Sequence, residues 1–214
     1  MKKTVCVLLV LVLLAGLGAS AFADDLLDVV GSVEGQVYTS KTLNLTGVFP
    51  DDWKILNDEE LAAEMEFPEG YAGREGVAKL LEEIFYTCAL SAEATDGSKA
   101  NMNMMIQDTL YPDLFTEQDY YDALAESIAE SITAQGYENV EVSQSSCVIS
   151  DENGENGVEH VMCVVNADLG ELRLWEYNVY VKAGQYIGLV NIFAPSKEQA
   201  DEILSFFHLV EPAA

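Results

Sequence analysis

Apolar and polar positions along the chain change period several times, and each change marks an element. Between Thr116 and Gly136, Tyr121, Leu124, Ile128 and Ile132 recur at steps of three and four, so they share one helix face. Thr116 is placed to cap that helix with Asp119 three residues on, and Gly136 to end it. Glu126, Ser127, Glu130 and Thr133 fall on the opposite, water-facing side. Shorter helical stripes run through Glu75–Glu83 and from Ser196 to Phe207, the latter opening on a Ser196/Gln199 capping box. Asn57, with Glu60 three residues on, caps a brief helix through Leu61 and Met65.

Period two dominates elsewhere. Gln36–Phe49 reads as extended, followed by a turn at Pro50-Asp51-Asp52 and a short strand from Trp53 to Leu56. The run from Ile84 to Leu90 and the alternation Ala100, Met102, Met104, Ile106 flank Asp96-Gly97, a hairpin signal. After the long helix come four strands: Glu138–Ser150, Val158–Asn166, Glu171–Val181 and Gln185–Ala194. Glu171–Val181 is apolar at Leu172, Leu174 and Tyr180 and also at Trp175, Tyr177, Val179 and Val181. A strand apolar on both faces is covered on both. The expected class is therefore α+β: an α/β/α sandwich with a largely antiparallel sheet and helices on both faces.

The N-terminal pattern is different. Lys2 and Lys3, an apolar run from Val5 to Leu14, and Ala21-Phe22-Ala23 read as a signal peptide over residues 1–23, cleaved near Ala23. The apolar run is shorter than the roughly 20 residues of a spanning helix, and no second such run follows. Residues 24–35 form a lead-in and residues 36–214 one domain. The expected location is secreted or extracytoplasmic, with no transmembrane segment after cleavage. Loss of the two lysines takes the net charge from −27 to −29, which repels nucleic acid and anionic surfaces.

Three cysteines remain after cleavage, so at least one is free or paired between chains. If Ser150 faces His160 in the first late hairpin, Cys147 faces Cys163, and those two are the favoured disulfide. Arg173, Trp175 and Tyr177 share one face of a strand and are candidates for a partner surface, although large aromatics are usually buried.

Chemical motifs are sparse. The two histidines, His160 in a strand and His208 at the end of the last helix, fit no metal spacing. Asp151-Glu152-Asn153-Gly154-Glu155 begins like a calcium loop, but Asn156 stands where glycine is needed and Met162 where glutamate is needed. No nucleophile elbow, P-loop or dinucleotide fingerprint occurs, so no catalytic, cofactor or metal residue is assigned. Asn44-Leu45-Thr46 is a glycosylation sequon.

The order of elements resembles PsbP-like domains. An extended run leads into Pro50-Asp51-Asp52-Trp53, Asp96-Gly97-Ser98-Lys99-Ala100-Asn101-Met102-Asn103 enters a strand, and Ala194-Pro195 leads into a helix ending Phe206-Phe207. The resemblance spans Gln36 to Val210. It implies an α/β/α sandwich and roles in binding and assembly without catalysis; members include extrinsic photosystem subunits, a Ran-binding import factor and many secreted bacterial proteins. The expected function is a secreted, non-enzymatic binding or accessory protein with an unknown protein partner at the envelope or outside the cell, no cofactor and no nucleic acid. The alternatives are a secreted hydrolase with a carboxylate-based site and a calcium-dependent surface protein.

Overall fold

The computed structural model describes residues 26–112 and 114–210; the signal-peptide expectation over residues 1–23 lies outside them. In chain order the elements are α1 (Leu26–Val30), β1 (Ser32–Glu34), β2 (Val37–Ser40), β3 (Leu45–Val48), β4 (Trp53–Ile55), α2 (Asp58–Glu64), α3 (Arg74–Ile84), β5 (Tyr86–Ala94) and β6 (Asn101–Asp108). There follow α4 (Glu117–Ala134), β7 (Glu138–Ser150), β8 (Gly157–Leu169), β9 (Leu172–Ala183), β10 (Tyr186–Ala194), α5 (Lys197–Leu204) and β11 (Phe207–Leu209). The class is α+β. The strands form two antiparallel sheets, one of four strands in the order β1-β2-β3-β11 and one of seven in the order β4-β5-β6-β10-β9-β8-β7.

The large sheet is assembled from local hairpins and one distant pairing. β5 and β6 form the hairpin around Asp96-Gly97, and β7 to β10 form a meander. β10 then closes onto β6, with Phe193 opposite Asn101 and Tyr186 opposite Asp108. Alternation in β6 is realised as expected: Met102, Met104 and Ile106 are fully buried while Asn103 and Met105 are half-buried. β10 is buried at nearly every position because its alternate residues enter apolar clusters on the two faces of the sheet.

Two apolar clusters use alternate residues of the same strands, as the period of two requires. The first takes Tyr186, Val190 and Ile192 of β10 together with Val77 and Leu81 of α3 and Ala200 and Ile203 of α5. The second takes Ile187 and Leu189 of β10, Cys163 and Val165 of β8 and Tyr180 of β9 with Tyr120, Ile128 and Ile132 of α4. Each fully buried aliphatic side chain contributes about 1.5–3 kcal/mol by leaving water. The small sheet is pinned to the first cluster by aromatic edges: Phe49 lies 5.7 Å from Phe206, and Trp53 5.4 Å from Phe206, ring centre to ring centre.

Local signals hold at the helix starts. Asn57 and Glu60 cap α2 reciprocally, and Thr116 and Asp119 do the same for α4. At α5, Ser196 accepts from the Gln199 amide, but the Gln199 side chain turns away to donate to Ser98 Oγ at 3.1 Å. The reach across to the β5–β6 loop replaces the reciprocal half of the cap.

Several sequence expectations are corrected. Gln36–Phe49 is a hairpin of β2 and β3, turning at Asn44, whose φ is +52°. His208 lies in β11 opposite Thr46, not at a helix end. The favoured disulfide is not formed: Cys147 faces His160, and Cys163 faces Gln144. The hairpin register differs by three residues from the one expected, and an odd shift turns side chains to the other face. Cys147 accordingly packs against the first cluster and Cys163 sits within the second. Among the described residues no helix is long and apolar enough to cross a membrane.

Candidate functional site

The sequence of β9, Leu-Arg-Leu-Trp-Glu-Tyr-Asn-Val-Tyr-Val, carries Glu176 and Asn178 inside an otherwise apolar strand. Both are buried, at 7% and 3% exposure. They share a face with Tyr180, because residues two apart on a strand point the same way. The registers of four neighbouring pairs extend this face sideways. Asn178 stands opposite Cys163 on β8 and Asn191 on β10; Asn191 stands opposite Asn103 on β6, and Asn103 opposite Ser91 on β5. Directly opposed side chains lie on the same side of a sheet. A polar row therefore crosses the middle of the molecule on the side that carries α4's cluster.

Hydrogen bonds fix part of this row. Asn178 Nδ2 donates to Glu176 Oε1 at 2.8 Å, and Asn191 Nδ2 donates to Asn103 Oδ1 at 2.7 Å. At the β5 end, Ser91 Oγ lies 3.5 Å from Glu64 Oε1 of α2. The Tyr180 hydroxyl is fully buried and has no hydrogen-bond partner among the described residues. A buried polar atom left in that condition costs about 1–3 kcal/mol, so it points to a group that completes it.

Burial sets the electrostatics. It pushes the Glu176 carboxyl up to about 7, with the Asn178 hydrogen bond pulling the other way. Burial, helped by Glu176, pushes the Cys163 thiol up to about 12. The Tyr180 hydroxyl is raised too, by burial first and then by Cys163, Glu176 and Tyr121, which brings these groups into one electrostatic neighbourhood. A thiol held that high is a poor nucleophile. Amides and a carboxyl that burial lifts toward neutral pH are hydrogen-bonding groups suited to holding a polar ligand.

Beside the row on the same side lies a small apolar hollow lined by Met105, Tyr120, Leu124, Ile187 and Leu189, among others. Leu189 is two residues from Asn191 on β10, and Met105 two from Asn103 on β6, so hollow and row adjoin.

A second polar knot lies at the start of α4. The β8–β9 ladder ends at Met162 opposite Val179. Just beyond it, Glu117 Oε2 accepts from the Val161 amide at 2.8 Å, and Oε1 from the Lys182 amide at 3.0 Å. His160 Nδ1 lies 2.8 Å from the same Oε1. Glu117 thus closes the split between two strands and ties α4 to them. Burial raises its pKa, but the hydrogen bonds from His160, Val161 and Lys182 outweigh this and leave it below the ordinary value. Cys147 stands opposite His160, yet its thiol is pushed up to about 11 by burial, Glu117 and Glu159. This knot is structural.

The predicted partner surface divides. Tyr177 is 1% exposed and its hydroxyl donates to Asp201 of α5 at 2.7 Å, so it belongs to the core. Arg173 is exposed and lies 5.6 Å from the half-buried Trp175 ring. Only these two of the three reach the surface, because the sheet is covered from Glu176 onward. In the loop that begins like a calcium site, Asp151 accepts from the Glu155 and Asn156 backbones and from Asn156 Nδ2, which uses its carboxylate to shape the turn. No group of three or more acidic, histidine or cysteine side chains able to hold a metal occurs among the described residues.

Glu176, Asn178 and Asn191 were missed from the sequence. Their signal was present: charged or amide residues interrupting LWEYNVYV and LVNIF, where every neighbour is apolar. A polar residue within a strand buried on both faces marks a built polar site.

No family model matches the chain, and no curated protein matches it. Among solved structures, the chain is similar to the solution structure of cyanobacterial PsbP from Synechocystis sp. PCC 6803. The identity is 13%, the TM-score 0.46, and the match covers 84% of this chain and 98% of that one. The likeness concerns the fold outline.

Proposed function

We propose that this protein is a secreted or extracytoplasmic binding or accessory protein that works without catalysis, and that the buried row around Glu176 is its binding centre. The observation that carries this reading is the unpartnered Tyr180 hydroxyl beside Glu176, Asn178 and Asn191. Amides neither gain nor lose protons near neutral pH, and the thiol beside them is held far from its reactive form. The signal-peptide pattern at residues 1–23 supports a location outside the cytoplasm.

We also infer an α/β/α sandwich. In its support, α4 contributes to one apolar cluster and α3 and α5 to the other, and the two clusters use alternate residues of β10.

The carboxylate-based hydrolase is the competing reading, favoured by a Glu176 carboxyl near 7, the range of a general base. The test is retention. Asp24–Ala214 is immobilised and exposed to envelope and culture-medium fractions at low and high salt, beside a Glu176→Gln control. A molecule retained at both salts by the parent and lost from the control supports the binding reading. Retention at low salt alone reflects the acidic surface and defeats it. Hydrolysis abolished by Glu176→Gln would establish the rival.

A further inference from the structure

Three of the four edges of the two sheets are short. β1, β4 and β11 have three residues each. A short edge strand offers few open amides and carbonyls to another chain. β7 is the exception. It ends the large sheet with thirteen residues, Glu138–Ser150, and pairs on one side only, with β8. Among the described residues no backbone other than that of β8 hydrogen-bonds to Val142–Ser150.

Charges, proline and bulges also keep an edge from pairing. In β7 they are confined to its start: the register shifts between Glu138 and Glu141, and those two residues carry its only charges. From Val142 to Ser150 the strand reads VSQSSCVIS, with no charge, no proline and no break in register. Ser143, Gln144, Ser145, Ser146 and Val148 are exposed, Val148 at 62%. Gln118 of α4 exchanges hydrogen bonds with the Gln144 side chain, which leaves the backbone edge open. β11 comes near β7 but pairs with β3.

The charge of the chain favours one occupant. At −27, two copies repel each other over most of their surfaces. Along Val142–Ser150 they meet without opposing like charges, whereas a basic strand would find no acid there to pair with. An antiparallel pair of identical strands is two-fold symmetric, so the contact is self-complementary and closed. Because the other edges are short, growth stops at two copies.

We propose that β7 is a dimerisation edge: Val142–Ser150 pairs antiparallel with the same run of a second copy and joins the two large sheets into one. Addition of a strand to an open edge draws its affinity from main-chain hydrogen bonds, which a run of serines supplies as well as any other. The edge lies two strands from β9 and is independent of the row around Glu176.

The experiment is sedimentation of Asp24–Ala214 over a concentration series at low and high salt, beside the double variant Ser143→Glu/Ser145→Glu, with hydrogen exchange followed across β7 in the parent. Ser143 and Ser145 are exposed and share a face of β7, so in a two-fold pair their substitutes bring like charges opposite or diagonal to one another. A monomer–dimer equilibrium is expected that tightens with salt, because salt screens the repulsion between two acidic copies. The double variant should dimerise at least about tenfold more weakly, since like charges then meet at more than one position. Exchange of the Val142–Ser150 amides should slow as the dimer fills. A parent that stays monomeric up to about 1 mM overturns the proposal, as does a dimer of undiminished strength in the folded variant. A dimer that forms with no slowing of exchange along Val142–Ser150 overturns it too, and this readout on the parent decides even if the variant does not fold.

Discussion

Asn178 donates its side-chain amide to Glu176, two residues earlier on the same face of β9, at 2.8 Å. Among the described residues it is the one hydrogen bond to the Glu176 carboxyl, and it does not offset burial, which lifts the carboxyl to about 7. Between the ordinary value of 4.5 and about 7, the folded protein holds a proton that the unfolded chain has lost. Stability therefore falls as pH rises through that window, and the cost is fully present above it. Glu176→Gln keeps an oxygen for Asn178 and removes the charge. It is expected to raise stability above pH 7 by an amount on the order of 3 kcal/mol, with no gain below about pH 4.5. Denaturant unfolding of both proteins across this range checks it; a gain that is constant with pH would refute the titration of Glu176 as its cause.

Glu117 satisfies the amides of Val161 and Lys182 where the β8–β9 ladder opens. Glu117→Ala leaves both without their acceptor and removes the partner of His160. Each orphaned buried amide costs about 1–3 kcal/mol, so a loss of at least about 2 kcal/mol is expected, with hydrogen exchange at Val161 and Lys182 rising most. The contribution of the carboxylate is present above the ordinary carboxylate range and is lost as pH falls through its lowered pKa. Unchanged exchange at both amides would contradict this role.

The cysteine arrangement gives a mass measurement. Cys147 and Cys163 serve different apolar clusters, and Cys88 is buried in a third beside Leu61. Intact protein, Asp24–Ala214, should have the same mass with and without reductant. Native alkylation should be slow and should start at Cys147, the least buried, whose thiol is held at about 11. A loss of two hydrogens in the oxidised sample would show an intramolecular disulfide and overturn the register.

At α4, Thr116 Oγ1 accepts from the Asp119 amide at 3.2 Å, and Asp119 Oδ2 accepts from the Thr116 amide at 2.7 Å. Thr116→Ala breaks this exchange and should cost about 1 kcal/mol. Thr116→Ser should restore most of it; thermal unfolding of the three proteins decides.

Local features were legible because their causes are local. The caps at Asn57 and Thr116, the buried series Met102, Met104, Ile106, and the turn at Asp96-Gly97 each depend on residues within a few positions. The candidate site was not legible in the same way. Asn103 and Asn191 meet only because β10 closes onto β6, a pairing of segments almost ninety positions apart. The partner surface of Arg173, Trp175 and Tyr177 failed at Tyr177 for a related reason: Asp201 of α5 comes over to meet its hydroxyl.

Taken alone, the sequence determined most of the element types, many of their ends and the acidic charge, all set by short-range sterics, hydrogen bonding and composition. Tertiary structure decided the register of β7 on β8, the second sheet of β1, β2, β3 and β11, and the row that joins Glu176 and Asn178 to Asn191 and Asn103. Those outcomes depend on which faces are buried against which, and a shift of an odd number of residues exchanges the faces without changing a single local preference.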